Sequence, residues 1–213
     1  MNLLVIGASR GIGSLVVDQA LQQDWNVLGL SRTPLAQTHP NLIHRQGDTL
    51  DPTFVKASLT WENKPVDAVV QCLGVPFNLQ MITGPVTLFS EATKALIPAM
   101  PEIGVKRLLT VTGFGAGQCA AAIHWTQRLG FAMVFGRAYA DKSKQEALIE
   151  NSSLDWTIAR PGVLTNSRRT DCKVLTEPAE WRNGMVSRRA VAQCLVDEVS
   201  RAQLIGKSPV LVQ

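Results

Sequence analysis

Two kinds of block alternate along this chain. Short, apolar-rich runs with branched side chains occupy residues 3–6, 27–30, 66–71 and 105–112, a more polar stretch over 41–46 reads as a short third strand, and a sixth strand ends at Arg160-Pro161-Gly162. Such runs suit strands buried on both faces of a parallel sheet. Between them, apolar residues recur at three- and four-residue intervals: Ile12, Leu15, Val16 and Leu21, then Leu88, Ala92, Ala95, Leu96 and Ala99, and near the end Val191, Leu195 and Val199. That period predicts helices from the first glycine turn to about residue 23, over 86–99, from Tyr139 to about residue 151, and a last one capped by Ser187. A short strand is expected over 171–175 and a final edge strand over 209–212. Strand followed by helix, repeated, predicts the α/β class: one doubly wound domain with a mainly parallel sheet.

Composition narrows the partners. The chain has 213 residues, 46% hydrophobic and 18% charged, enough for one sizeable core. Its 21 basic and 17 acidic residues leave a net charge of +4. The basic residues are scattered apart from Arg168-Arg169 and Arg188-Arg189, which argues against a nucleic-acid stripe and suits a small anionic ligand. The four cysteines, Cys72, Cys119, Cys172 and Cys194, form no C-x-x-C pair, so no metal site is expected. Reduced thiols, no charged leader before the first apolar run and no apolar run of membrane-spanning length predict a cytoplasmic protein off the membrane.

The candidate chemistry begins where the first strand ends. Gly7-Ala8-Ser9-Arg10-Gly11-Ile12-Gly13 turns the chain straight into a helical pattern. Gly7 allows a tight turn, Gly11 lets a pyrophosphate approach the backbone, and Gly13 lets the helix lie close on the sheet. Ser9, Arg10 and Ile12 complete a loop whose amides, at the positive end of a helix dipole, would hold phosphates. Residues 7–11 also read G-x-S-x-G, a nucleophile elbow. That motif needs a later acid and histidine, whereas His39, His44 and His124 all precede the final third. After the second strand stand Ser31 and Arg32, where an acidic residue would bond a ribose 2′-hydroxyl. A hydroxyl and a guanidinium favour a 2′-phosphate instead, with Arg10 able to clamp it, so NADP(H) is the expected cofactor. Gly206-Lys207-Ser208 mimics a phosphate loop but has Arg201 where its first glycine belongs.

The G-x-x-x-G-x-G spacing resembles the short-chain dehydrogenase/reductase superfamily. Asp141-Lys142 and then Leu-Asp-Trp-Thr-Ile-Ala-Arg-Pro-Gly-Val-Leu-Thr over 154–165 resemble its atypical, NmrA-like branch, which includes the biliverdin-IXβ/flavin reductases. The likeness covers nearly the whole chain and implies a Rossmann-type domain. It puts Asp48 on the adenine amino group with Thr49 or Leu50 beside the ring, while Asp51 caps the helix begun by Pro52. It puts Cys72-Leu73-Gly74 in a turn over the cofactor and Lys142 by the nicotinamide ribose. It further puts Pro161 and Gly162 near the carboxamide, with Arg160 either there or in a structural ion pair. Thr112, at the carboxyl end of the fifth strand, would hydrogen-bond substrate or nicotinamide. Tyr139 lacks the usual lysine four residues on, since Ser143 stands there, so the superfamily's Tyr-x-x-x-Lys pair is missing.

The expected catalytic residues are therefore Thr112, Tyr139 and Lys142, with a substrate pocket built from loops and helices within 74–85, 113–137 and 163–187. Residues 113–117 read as a mobile glycine loop at the site, and His124, Trp125, Phe131 and Phe135 as pocket lining. The expected activity is hydride transfer from NADPH to a small organic acceptor, a flavin, tetrapyrrole, quinone or carbonyl compound. The protein would be a monomer or homodimer. The alternatives are a non-catalytic NADP(H)-sensing regulator and a sugar-nucleotide or isomerase activity, for which the chain is short.

Overall fold

The computed structural model describes residues 1–75, 84–122 and 125–213, with the backbone alone for residues 120, 122 and 125–134. The elements run β1 (Asn2–Ile6), α1 (Gly11–Leu21), β2 (Asn26–Ser31), β3 (Leu42–Gln46) and α2 (Pro52–Ala57). A small hairpin, β4 (Thr60–Trp61) and β5 (Lys64–Pro65), leads to β6 (Ala68–Gln71), α3 (Leu88–Ile103), β7 (Arg107–Val111), α4 (Trp125–Glu150) and β8 (Asp155–Pro161). The chain closes with β9 (Val163–Thr165), β10 (Lys173–Leu175), β11 (Met185–Ser187), α5 (Arg188–Arg201) and β12 (Val210–Val212).

Among the described residues, eight strands form one sheet in the order β10-β12-β8-β7-β6-β1-β2-β3. Every pair is parallel except β10 with β12. The chain winds outward from β1 to β3 on one side and from β6 to β12 on the other, so the winding direction reverses between β1 and β6. This is the doubly wound α/β arrangement expected from the sequence. Strand pleating assigns alternate residues to opposite faces. Leu3 and Val5 join α1 and α5 in one core, while Leu4 and Ile6 join Val55, Leu96, Met100 and Ile149 in the other. Among the described residues, no helix is long and apolar enough to cross a membrane.

Four local expectations need correction. The segment over 209–212 is not an edge strand: β12 lies between β8 and β10, and the three-residue β10 takes the edge. The helix predicted to end at Ala99 continues to Ile103 through Pro98 and Pro101. Prolines there forfeit backbone bonds, but the buried Met100 and the packing of Ile103 keep the last turn on the core until Gly104 ends it at φ 89°. Tyr139 does not open a helix but sits well inside α4. Residues 113–116, expected to be a mobile loop, are buried; Phe114 joins Cys119, Leu175 and Val210 in a third core cluster.

The turn after β1 is set by a close approach. Gly7 lies at φ 86°, and its amide donates to the Leu30 carbonyl at 2.9 Å. A methyl group on Gly13 would stand 2.1 Å from the Gly7 carbonyl oxygen. Helix and strand thus touch backbone to backbone. Gly13→Ala is expected to cost about 1–3 kcal/mol through forced separation of the two elements. Urea unfolding reads this as a lower midpoint; an unchanged midpoint would mean that α1 is not held against β1 in this way.

Candidate nucleotide and substrate cleft

A cleft of about 530 Å³ opens at the carboxyl ends of β1 and β6, where the winding reverses. Ligands of open α/β sheets bind at this kind of place, because the strand order leaves a crevice there. Gly7, Ser9, Arg10, Gly11 and Ile12 line one wall. Arg10 precedes the first helical residue with extended backbone, and no side chain caps α1. Its first-turn amides therefore lack side-chain partners, and no acidic residue occupies that turn. Gly11, at φ 63°, has open space where a side chain would project. These features fit a phosphate group.

A second wall carries Ser31, Arg32, Asp48 and Thr49. Arg32 is exposed, and its carbonyl accepts from the Gln46 side chain at 3.0 Å, which steadies the loop. The buried Ser31 hydroxyl donates to the Thr33 carbonyl at 2.6 Å and lies 3.0 Å from His44 Nε2. It shapes the loop and leaves Arg32 as the outward-reaching group. Asp51 caps α2 by accepting from Thr53 N at 2.9 Å, while Asp48 accepts from Leu50 N at 3.0 Å and faces the cleft. Cys72, Leu73 and Gly74 cross the floor. Burial pushes the Cys72 thiol up to about 12.

Lys142 enters from α4. Its neighbour Asp141 is buried and accepts from the Phe89 and Ser90 amides at 2.9 and 3.2 Å, and from the Ser90 hydroxyl. One carboxylate from α4 thereby satisfies the amino end of α3 and fixes the register of Lys142. Lys142 Nζ donates to the Thr112 carbonyl and stands 5.1 Å from the Phe89 ring centre and 5.3 Å from that of Tyr139. Burial lowers its ammonium to about 8, partly opposed by the Glu146 carboxylate.

The other expected residues are held in different ways. Thr112 lines the cleft, but its hydroxyl donates to Glu146 Oε1 at 2.6 Å. That carboxylate also holds Arg160, at 2.7 and 3.1 Å, with both side chains 1% exposed. Arg160 is thus the structural ion pair, stacked 5.1 Å from the Trp181 ring centre, and the Thr112 proton is committed to the same site. Tyr139 is not among the described residues that line the cleft; it stands edge-on to Phe135 and beneath Gly113, and burial pushes its hydroxyl up to about 12. Gly13 serves the helix–strand contact. Pro161 and Gly162 are bonded into the sheet, to Phe114 N and to the Leu211 carbonyl. Residues 76–83 and His124, and the side chains of Trp125 and Phe131, lie outside the described residues.

The sequence reading did not name Thr33, Leu88 or Arg188 on the cleft walls, while Val75 and Leu164 fall within the stretches expected to form the substrate pocket. Arg188 is the informative omission. It is the first residue of α5, a position where the helix dipole disfavours a cation. Its guanidinium is held by Asn166 Oδ1 at 2.8 Å and the Leu164 carbonyl at 3.4 Å. Ser187 was legible as the cap, and helices packed on a parallel sheet start near its ligand-binding edge, so the clue was present in that cap.

Comparison with known proteins agrees with this geometry. An uncharacterized chloroplastic protein of Arabidopsis thaliana is 24% identical over 92% of this chain and 71% of its own length. The fold is shared with ChuY, an anaerobillin reductase from Escherichia coli O157:H7, at a TM-score of 0.79 and 20% identity, covering 100% of this chain and 97% of that one. A short-chain dehydrogenase/reductase from Veillonella parvula in complex with NADP has a TM-score of 0.80 at 16% identity, covering 100% and 94%. The family model described as NAD(P)H-binding matches residues 7–202, nearly the whole sequence, and the chain belongs to that NAD(P)H-binding family.

Proposed function

We propose that the protein is an NADPH-dependent oxidoreductase of the atypical short-chain type, acting on a small organic acceptor. The observation that carries this reading is the single cleft that gathers an uncapped helix start, Arg10 and Arg32, and the partly buried Lys142. In it the glycine turn holds the pyrophosphate, Arg32 with Arg10 holds the 2′-phosphate, and Asp48 and Thr49 meet the adenine. Bound there, the cofactor supplies a hydride. Lys142 lies at the ribose of the reacting half, where its ammonium holds hydroxyl groups and supports developing negative charge. The chain contributes position and water exclusion more than proton transfer. Tyr139 is not among the described lining residues and the Thr112 hydroxyl donates to Glu146, which supports an acceptor that takes its proton from water. Flavins and tetrapyrroles are such acceptors, and the shared fold of an anaerobillin reductase supports including that substrate class.

The commitment of Thr112 to Glu146 also favours a second reading, a non-catalytic NADP(H) sensor. NADPH oxidation by the purified protein, followed with flavins, biliverdins, an anaerobillin, quinones and aldehydes, separates the two. Turnover with one class is the expected result. Tight NADP(H) binding without turnover across the panel would establish the sensor instead.

Cofactor choice has its own test. Arg32→Asp is expected to weaken NADPH binding by more than about tenfold while sparing NADH; equal losses for both would remove the 2′-phosphate assignment. The Lys142 pKa gives a pH dependence of known sign. A bound anionic cofactor favours the charged ammonium, so the complex holds the proton more tightly than the free protein. Affinity for NADPH should then fall, roughly fivefold, as pH rises from 7 to 9 through the free-protein value of about 8. Isothermal titration of Lys142→Met should show a flat profile; an unchanged slope would place the titrating group elsewhere.

A further inference from the structure

Among the described residues, the charged side chains on the cleft walls are Arg10, Arg32, Asp48, Lys142 and Arg188. The cofactor reading uses the first four and leaves Arg188 without a task. Arg188 belongs to the end of the cleft opposite Arg32. Arg32 follows β2, whereas Arg188 follows β11, whose parallel partner β9 continues the chain from β8. Between β2 and β8 stand β7, β6 and β1, so the two strands are about 19 Å apart at the usual strand spacing. A guanidinium at the β8 end does not share a 2′-phosphate with Arg32.

The way Arg188 is held leaves it donors to spare. The β9–β11 register sets Ser187 opposite Thr165, which brings the half-buried Arg188 level with Asn166. Its Nη1 donates to Asn166 Oδ1 at 2.8 Å and to the Leu164 carbonyl at 3.4 Å. Both acceptors are neutral, and both bonds fall on one nitrogen. No described carboxylate stands within ion-pair distance, so Nε and Nη2 keep their donors. A tether to Asn166 needs one donor and no charge. A full positive charge at the first turn of a helix is unfavourable unless an anion meets it. Leu164, Val75 and Leu88 give the same cleft apolar wall.

We propose that Arg188 selects the acceptor, and that the acceptor has an apolar body with one acidic substituent, a carboxylate or a phosphate. This rests on the reductase reading above, because it takes acceptor and cofactor to share the cleft. The Nε–H and Nη2–H edge of the guanidinium matches two oxygens of one such group. Asn166 fixes the plane of the guanidinium and so the direction of that edge. The apolar side chains take the body of the acceptor, while Arg188 holds its charged end and sets its orientation. Arg188 thus confers specificity and takes no part in hydride or proton transfer.

Calorimetry of the full-length protein, with and without NADP+, compares two pairs of ligands that differ in the acidic group: FMN against riboflavin for a phosphate, and biliverdin against its dimethyl ester for carboxylates. The acidic member of at least one pair should bind more tightly, by about tenfold to a hundredfold, and that pair names the substituent. Arg188→Gln, which keeps a donor for Asn166, should erase the difference. Arg188→Lys, which keeps the charge without the fork, should retain part of it. Equal binding within both pairs, no binding of any of the four, or a preference that survives Arg188→Gln would each overturn the proposal. So would an NADP+ affinity that falls in Arg188→Gln as far as that for the acidic ligand, which would put Arg188 on the cofactor. The comparison within each pair uses the unaltered protein, so it can refute the proposal even where a variant does not fold. The reductase reading fails by a different readout, NADPH oxidation: a preference that depends on Arg188, without turnover, would leave the residue its role toward the ligand of a sensor.

Discussion

The contact between the first strand and the first helix governs the arrangement of this protein. Helix and strand backbones can touch only where neither carries a side chain, and the Gly13–Gly7 approach is that place. It sets where α1 begins, and so where its unpartnered amides point. Because the sheet reverses its winding beside β1, those amides face the crevice between β1 and β6. The fit of this place to a phosphate thus follows from backbone placement, and the side chains of Arg10 and Arg32 line the same crevice.

A second level of organisation is polar and buried. The Glu146 carboxylate accepts from Thr112 and from Arg160 at once, tying α4 to β7 and β8. Five residues earlier on α4, Asp141 satisfies the amino end of α3. Between these two anchors stands Lys142, which has little freedom to be anywhere but in the cleft. Breaking a buried, hydrogen-bonded pair such as Glu146–Arg160 leaves an uncompensated charge, which costs about 3–5 kcal/mol. The same network engages the Thr112 hydroxyl. A hydroxyl that donates to a buried carboxylate does not readily donate to a ligand, so the polar interior that positions the cleft also limits what the cleft can do.

Much was legible from the residues alone. The apolar runs and the helical periods implied a doubly wound sheet, since a strand buried on both faces must be apolar throughout and a helix lying on it needs one apolar stripe. The glycine spacing placed the turn, Asp51-Pro52 placed a cap, and Ser187 placed another. Ser31-Arg32 and Asp48 line the cleft because they stand at the carboxyl ends of β2 and β3. These are local features, in which a few adjacent residues decide the conformation by sterics and hydrogen bonding.

Only the tertiary structure decided the rest, because it depends on residues far apart in the chain. No sequence pattern assigns Thr112 to Glu146, 34 positions away, or shows that Arg160 completes that pair. Nothing local distinguishes a buried turn over 113–116 from a mobile glycine loop, because glycine permits both and the packing of Phe114 chooses. The edge of the sheet passed to β10 because its short antiparallel strand covers β12. Arg188 reached the cleft through the return of the last helix against the first. The sequence determined which segments are strands and helices and where phosphate would bind. Long-range packing, which alone can place one side chain against another, determined which polar groups remain free to act.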